Sequence, residues 1–330
     1  MKIGLIARAG NTGLGTLSLE FARHLKPVKT LIVTNGVEQT FPERFENSRR
    51  ARQTFTILQD EMQWLTEGVD VILSFETFYN WQIVSFARKR GVKTALLTMA
   101  ELFPEKLPAT PDLFICPSKL DMDIVPDPKV FLEIPIATDR LHWKQRDRAN
   151  VFIHSGSHGG MSGRKGTGLL LEAMNYVKSD IQMLIYTWGD FECTDPRVQI
   201  HRTNFKNYWQ LWREGDVLVY PQGANGICLP IIEAMSSGLA VITTDEYPFN
   251  EYMPKELLVK PERFVKVRMG GNFREVDDPL ITPQAIAEKI DEIAGEDISS
   301  FSLYGKKFAK DNSWDKWLPM YRNVFEKLCE

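Results

Sequence analysis

Cysteine is scarce in this chain of 330 residues, and what there is lies far apart. Cys116, Cys193, Cys228 and Cys329 form no C-x-x-C pair, which argues against a structural zinc site and a disulfide framework. Four scattered thiols point instead to a reducing compartment. Long apolar runs are also missing. No stretch approaches the roughly 18 residues that a membrane span needs. The opening segment, Met1 to Ala7, is one short apolar strand broken by Arg8 and Gly10, too short for the core of a secretion signal. A cytoplasmic protein with no integral membrane segment is expected. Charge of one sign is lacking too: 40 Lys and Arg against 43 Asp and Glu leave a net charge of −3. That excludes a polyanion binder by bulk charge and leaves only local patches. Gly and Pro are not in excess, and there is no low-complexity tract or short repeat, so the chain is neither fibrous nor disordered. His142, His154, His158 and His201 share no metal-ligand spacing.

What is present is alternation. Apolar, β-rich runs cover Lys2–Ala7, Thr30–Thr34, Asp70–Phe75, Thr94–Thr98, Leu113–Cys116 and Val130–Ile134. A second series covers Val151–His154, Met183–Thr187, Val198–His201, Val217–Tyr220, Ala240–Thr243 and Leu257–Val259. Several are apolar throughout, as in parallel strands covered on both faces. Helical spacing lies between them, at Leu14 to Leu25, Phe55 to Leu65, Leu169 to Val177 and Ile231 to Met235. The alternation predicts βαβ units in an α/β, doubly wound fold. It pauses near Ile134 to Asp139, so a first domain over 1–137 and a second over 138–305 are expected, each with one Rossmann-like sheet, facing each other across a cleft.

Two glycine loops follow strands. The first is Gly10-Asn11-Thr12-Gly13-Leu14-Gly15, where Gly13 and Gly15 let the backbone approach a ligand at a helix N-terminus. A dinucleotide loop would want an acidic residue after the second strand, and Glu38 is badly placed for that. A plain tight turn is the alternative. The second loop is richer. Gly156, Ser157 and His158 lead through further glycines to Arg164 and Lys165 at a helix entry, a cation pair suited to a diphosphate. His158 is a candidate at that phosphate.

The most informative stretch runs from Asp216 to Gly238. A buried strand ends at Pro221, and a loop through Asn225, Gly226, Ile227, Cys228 and Leu229 enters a short helix carrying Glu233. One carboxylate in an apolar helix needs a partner, and ribose hydroxyls would serve.

This stretch resembles the retaining glycosyltransferases of family 4, whose pattern is Glu-Gly-Phe-Gly-Leu-Pro followed by Glu-Ala-Met-Ala-x-Gly. Here it reads Asn225-Gly226-Ile227-Cys228-Leu229-Pro230, then Glu233-Ala234-Met235-Ser236-Ser237-Gly238. Gly13 with Gly15, Cys116-Pro117-Ser118, Ile134-Pro135 through Asp139, Arg164-Lys165-Gly166 and Thr244-Asp245 through Glu251 match further landmarks in order. The resemblance implies a GT-B fold and transfer of a sugar from a nucleoside diphosphate sugar, UDP first and GDP next. It implies that Arg164 and Lys165 neutralise the diphosphate, that Glu233 binds ribose, and that amides around Ile227–Leu229 contact phosphate or sugar. Arg202-Thr203-Asn204 falls where the family reads the base. No metal and no cofactor beyond the nucleotide sugar are implied. Asn225 departs from the family Glu; it keeps a hydrogen-bonding side chain and loses the charge.

The acceptor is expected against the first domain. Glu76 and Glu101 follow its third and fourth strands, where either carboxylate can take the proton of an acceptor hydroxyl. With Asn225 they are the candidate catalytic groups. Asp121-Met122-Asp123 has the look of a metal-binding pair but the wrong surroundings, and a solvated loop is expected. Arg49, Arg50 and Arg52, with Arg44 before them, form a basic cluster that suits an anionic acceptor such as a nucleic acid or phosphorylated glycan; a solvated helix face is the plainer reading. Trp64 and Trp81 read as core. The segment 306–330 reads as a last helix crossing back to the first domain. Two other functions stay open: a non-catalytic binder of nucleotide sugars, and a nicotinamide-dependent oxidoreductase.

Overall fold

A computed structural model describes residues 1–36, 39–157, 163–203, 205 and 207–330. The chain divides into two compact units, Met1–Pro135 with Trp314–Glu330, and Ile136–Ser313.

The first unit is built on seven strands: β1 (Ile3–Ala7), β2 (Lys29–Ile32), β3 (Ser48–Arg50), β4 (Val71–Phe75), β5 (Lys93–Leu97), β6 (Leu113–Cys116) and β7 (Lys129–Phe131). Their order is β3-β2-β1-β4-β5-β6-β7, parallel throughout. β1 and β4 are buried at every position, which is why they read as unbroken apolar runs. Helices α1 (Gly13–Leu25), α2 (Gln59–Thr66), α3 (Gln82–Arg88) and α4 (Lys119–Ile124) connect them. The turn before α2 corrects one expectation: helical spacing began at Phe55, but Phe55 lies outside the helix with φ of +53°.

The second unit holds six parallel strands in the order β10-β9-β8-β11-β12-β13. They are β8 (Val151–Ser157), β9 (Gln182–Thr187), β10 (Val198–His201), β11 (Val217–Tyr220), β12 (Ala240–Thr244) and β13 (Leu258–Val259). An antiparallel hairpin, β14 (Arg263–Arg268) with β15 (Glu275–Leu280), follows. Its charged strands carry no apolar run, so the sequence concealed it. Helices α5 (Thr167–Ala173), α6 (Leu229–Ser236), α7 (Pro283–Ile293) and α8 (Ser299–Asp311) cover the sheet.

The break near the C-terminus falls between Ser313 and Trp314 rather than at 305. The reason is close packing inside the second unit: at Gly305 of α8 a Cβ would lie 2.1 Å from the Met235 carbonyl oxygen of α6. The last helix, α9 (Trp314–Cys329), belongs to the first unit. Its Trp314 and Tyr321 rings meet Phe21 of α1 at 4.9 and 5.2 Å, edge to face. The Tyr321 hydroxyl donates to the Glu133 carbonyl at 3.0 Å. No described helix is long and apolar enough to cross a membrane.

Candidate functional site

In the second unit β8 and β11 are neighbours whose connections leave in opposite directions, so the carboxyl ends of these two strands form the place where such sheets bind ligands. The residues at that end are tightly fitted. His154, on β8, is fully buried, with Nδ1 2.8 Å from the Val219 carbonyl and Nε2 2.8 Å from the Thr167 hydroxyl. A carbonyl only accepts, so Nδ1 carries the proton and Nε2 accepts from Thr167. Burial lowers the His154 pKa to about 4, which keeps the ring neutral. Two residues on, a Cβ at Gly156 would sit 2.5 Å from the Thr167 hydroxyl. Ser157 has φ of +50°, and its carbonyl accepts from the Thr187 hydroxyl at 2.8 Å.

Gly166, with φ of +72°, lets the loop pass over Pro221; a Cβ there would meet the Pro221 carbonyl oxygen at 1.9 Å. This brings the cations of one loop to the other. The Gly223 amide donates to the Arg164 carbonyl at 2.8 Å, and Arg164 reaches the Ala224 carbonyl at 3.5 Å. Lys165 donates from Nζ to the Tyr220 hydroxyl at 2.9 Å. Burial depresses the Lys165 ammonium, the Arg164 charge adds to this, and Glu233 acts against it. Burial pushes the Cys228 thiol up to about 12, so it is a packed group and not a nucleophile.

Cys228 holds φ of +49° at the start of α6, and Gly226 and Ile227 are buried beside it. This turn leads Leu229 into the helix. Asn225 donates to the Gln222 side chain at 3.1 Å. Glu233 on α6 is buried, and its Oε2 accepts from the indole of Trp212 at 3.1 Å. Trp212 and Asp278, which accepts from the Ala224 amide at 2.7 Å, are the residues that sequence reasoning missed. An indole and a carboxylate have no local signature for such pairing. Arg202 and Thr203 are exposed, and Arg202 donates to the Phe191 carbonyl at 3.0 Å. His158, Asn204 and Glu38 lie outside the described residues.

In the first unit the glycine loop is a tight turn: a Cβ at Gly15 would meet the Gly10 carbonyl oxygen at 1.9 Å, whereas Gly13 faces open space. Thr12 caps α1 by accepting from the Gly15 amide at 3.2 Å. Glu76 follows β4 with φ of +62°. Glu101 is buried on a short turn after β5. Asp121 corrects the expectation of a solvated loop. It is fully buried on α4, accepts from Thr98 at 2.9 Å and from the Ser118 hydroxyl, and burial lifts its pKa to about 7, with the Glu101 charge adding to the rise. Arg49 and Arg52 are less available than their sequence suggests. Both pair with Asp60, and Arg52 also approaches Glu61 at 3.5 Å. Arg50 is exposed. Trp64 and Trp81 pack against the core of this unit.

Residues 150–267 match the family model described as Glycosyl transferases group 1. Among solved structures, the fold is similar to HepE of Anabaena in complex with UDP and glucose, with a TM-score of 0.68, 10% identity and coverage of 99% of this chain and 100% of that one. It is similar to sucrose-phosphate synthase of Thermosynechococcus elongatus, with a TM-score of 0.70, 13% identity and 99% of each chain covered. A glycosyltransferase of Rickettsia africae gives a TM-score of 0.68 at 14% identity over 100% of this chain and 98% of that one. No curated protein sequence matches. Part of the second unit is thus similar to the glycosyl transferases group 1 model, and the two parallel sheets share the fold of these solved structures.

Proposed function

We propose that this glycosyltransferase moves a sugar from a nucleoside diphosphate sugar, UDP before GDP, to an acceptor hydroxyl held by the first unit, with retention at the anomeric carbon. The observation that carries the reading is the assembly of Arg164, Lys165 and Glu233 around the loop 221–228, inside the residues matched by the family model. A bound UDP in one structural neighbour supports the choice of nucleotide.

In this reading the bond between the sugar C1 and the β-phosphate oxygen breaks, and the electron pair leaves with the diphosphate. Lys165 and Arg164 stabilise that charge in a partly desolvated place, where fixed cations act most strongly. Glu233 accepts from the ribose hydroxyls, held in place by Trp212. Asn225 hydrogen-bonds the departing sugar without contributing charge. The acceptor oxygen bonds to C1 on the face the diphosphate leaves, and its proton passes to a carboxylate, Glu76 or Glu101, or to the departing phosphate. The cations serve where other transferases use a metal ion, and the cytoplasm is the expected setting.

The test is a thermal-shift series with UDP, GDP, ADP, their sugar conjugates and NAD, on the native chain and on Glu233→Ala. A ligand at a hundred times its dissociation constant adds about 2.7 kcal/mol of stability. A shift with one nucleotide sugar that Glu233→Ala loses is the expected result. A shift with NAD alone that ignores Glu233 would overturn it. Binding without turnover for any acceptor would make the chain a non-catalytic homologue.

A further inference from the structure

The strand β11 ends in Tyr220. Val217, Leu218 and Val219 before it are apolar and fully buried, as a strand covered on both faces requires. Tyr220 is fully buried too, although it carries a hydroxyl. Burying a phenol is costly unless the hydroxyl is bonded. This one meets two groups. It accepts from Lys165 Nζ at 2.9 Å, and it hydrogen-bonds the Cys228 thiol. An ammonium only donates, so the phenol proton is directed to the sulfur. Burial raises the phenol well above its ordinary range, so it keeps that proton and carries no charge.

The ring is held by its neighbours. His154 on β8 lies against it, with ring centres 5.6 Å apart, and His154 is itself tied to the Val219 carbonyl at 2.8 Å. The Tyr220 carbonyl accepts from the Thr243 hydroxyl of β12 at 3.0 Å. Tyr220 is therefore a rigid post at the carboxyl end of β11. Lys165 is the opposite, a flexible four-carbon stem that loses much rotamer freedom when it is fixed. Its Nζ also stands 5.7 Å from the centre of the Tyr220 ring. The kind of partner matters here. A carboxylate in this place would offset the ammonium charge, and an incoming anion would have to compete with it. A phenol oxygen engages one N–H of three and leaves the charge whole.

We propose that Tyr220 is a positioning residue for Lys165: its hydroxyl fixes the ammonium beside the loop 221–228 with the charge intact, so that a diphosphate meets a cation already in place. The part this plays in sugar transfer rests on the nucleotide sugar reading; the grip on Lys165 does not. A cation set in advance needs no reordering when the anion binds or when charge develops on it. Tyr220 acts through Lys165 and not by contact with the donor.

The experiment uses the full chain, Tyr220→Phe, and Tyr186→Phe as a matched control. Tyr186 in β9 is also a buried tyrosine with its hydroxyl on a charged group, Glu214 at 3.0 Å. The first readout is the titration of the Lys165 ammonium in the unliganded chain, followed by NMR of carbon-13-labelled lysine and assigned with Lys165→Met. The titratable and charged groups facing Lys165 are Arg164 beside it, His154 on β8, Tyr220 on β11, and Cys228 and Glu233 at α6. Tyr220→Phe removes a hydrogen bond that favours the charged form, so the titration should move to lower pH by about one unit. Tyr186→Phe should not move it. The second readout is affinity for UDP and for inorganic pyrophosphate against pH, by calorimetry. Tyr220→Phe should weaken both about tenfold at neutral pH, and its affinity should fall away at lower pH than that of the native chain. On a Lys165→Met background, Tyr220→Phe should add nothing. That double variant removes both partners of the pair and orphans neither, so the comparison stands even where Tyr220→Phe alone folds poorly. A Lys165 titration that ignores Tyr220→Phe, or a loss of UDP affinity as large without Lys165 as with it, would overturn the proposal. A titration that moves in a native chain binding neither UDP nor pyrophosphate sinks the donor reading and leaves the grip on Lys165 standing.

Discussion

The carboxylate of Asp278, on the second strand of a charged hairpin, accepts a hydrogen bond of 2.7 Å from the amide of Ala224. Ala224 directly precedes Asn225 in the loop that leads to Glu233, and Asp278 lies beyond the residues matched by the family model. A Cβ at the adjacent Gly223 would lie 2.3 Å from the same carboxylate oxygen, so the two segments touch. The hairpin therefore latches the loop 221–228.

Asp278→Ala should leave the Ala224 amide without its acceptor and cost about 1–3 kcal/mol, while Asp278→Asn keeps an acceptor oxygen and should cost less. Chemical unfolding measures the first effect. UDP titration should show weaker binding in the same order, since a loosened loop must be reordered on binding.

Gly166 and Gly163 separate steric cost from backbone cost. Both have φ near +70°, but only Gly166 would drive a Cβ into the Pro221 carbonyl. Gly163→Ala should lose about 1 kcal/mol from the left-handed conformation alone, and Gly166→Ala several times that, with loss of nucleotide binding. Equal unfolding midpoints for the two variants would contradict the packing described.

Trp212 and Glu233 should behave as a coupled pair. Trp212→Phe keeps an aromatic ring but removes the N–H with the pyrrole half of the indole, leaving a buried carboxylate one donor short beside a gap, at a cost of at least about 1–3 kcal/mol. In a double-mutant cycle with Glu233→Gln the losses should be less than additive, both in stability and in UDP affinity.

Stability should depend on pH in two windows of opposite sign. His154 is held neutral with a folded pKa of about 4 against an ordinary 6.5. Between these values the unfolded chain binds the extra proton, so stability falls as pH drops from 6.5 to 4. Asp121 is lifted to about 7 from 3.8 by burial. Between those values the folded chain binds the extra proton, so stability falls as pH rises toward 7. His154→Gln should flatten the first slope and Asp121→Asn the second, as read from denaturant midpoints against pH.

Much of the scaffold was legible because parallel strands buried on both faces must be apolar along their length. Val71–Phe75 and Val217–Tyr220 can be little else. β3 was not legible, since Ser-Arg-Arg at a sheet edge carries no apolar signal. The glycines at the end of β8 and in the loop after it were visible as residue types, but not their reasons. Gly156 and Gly166 are required by Thr167 and Pro221, which lie opposite only after folding.

The sequence by itself determined the two series of strands, the pause between them near Ile134, and the residue types of the two glycine loops. These follow from local chemistry: apolar continuity, glycine at turns, cations at a helix entry. The tertiary structure alone decided which charges are engaged and which are buried. Arg49 and Arg52 were a basic patch until α2 brought Asp60 to them. Asp121 read as solvated until α4 turned it under Thr98. The partners of Ala224 and Glu233 come from 54 and 21 residues away along the chain. Pairings at such separations are fixed by packing, and packing has no period that a sequence displays.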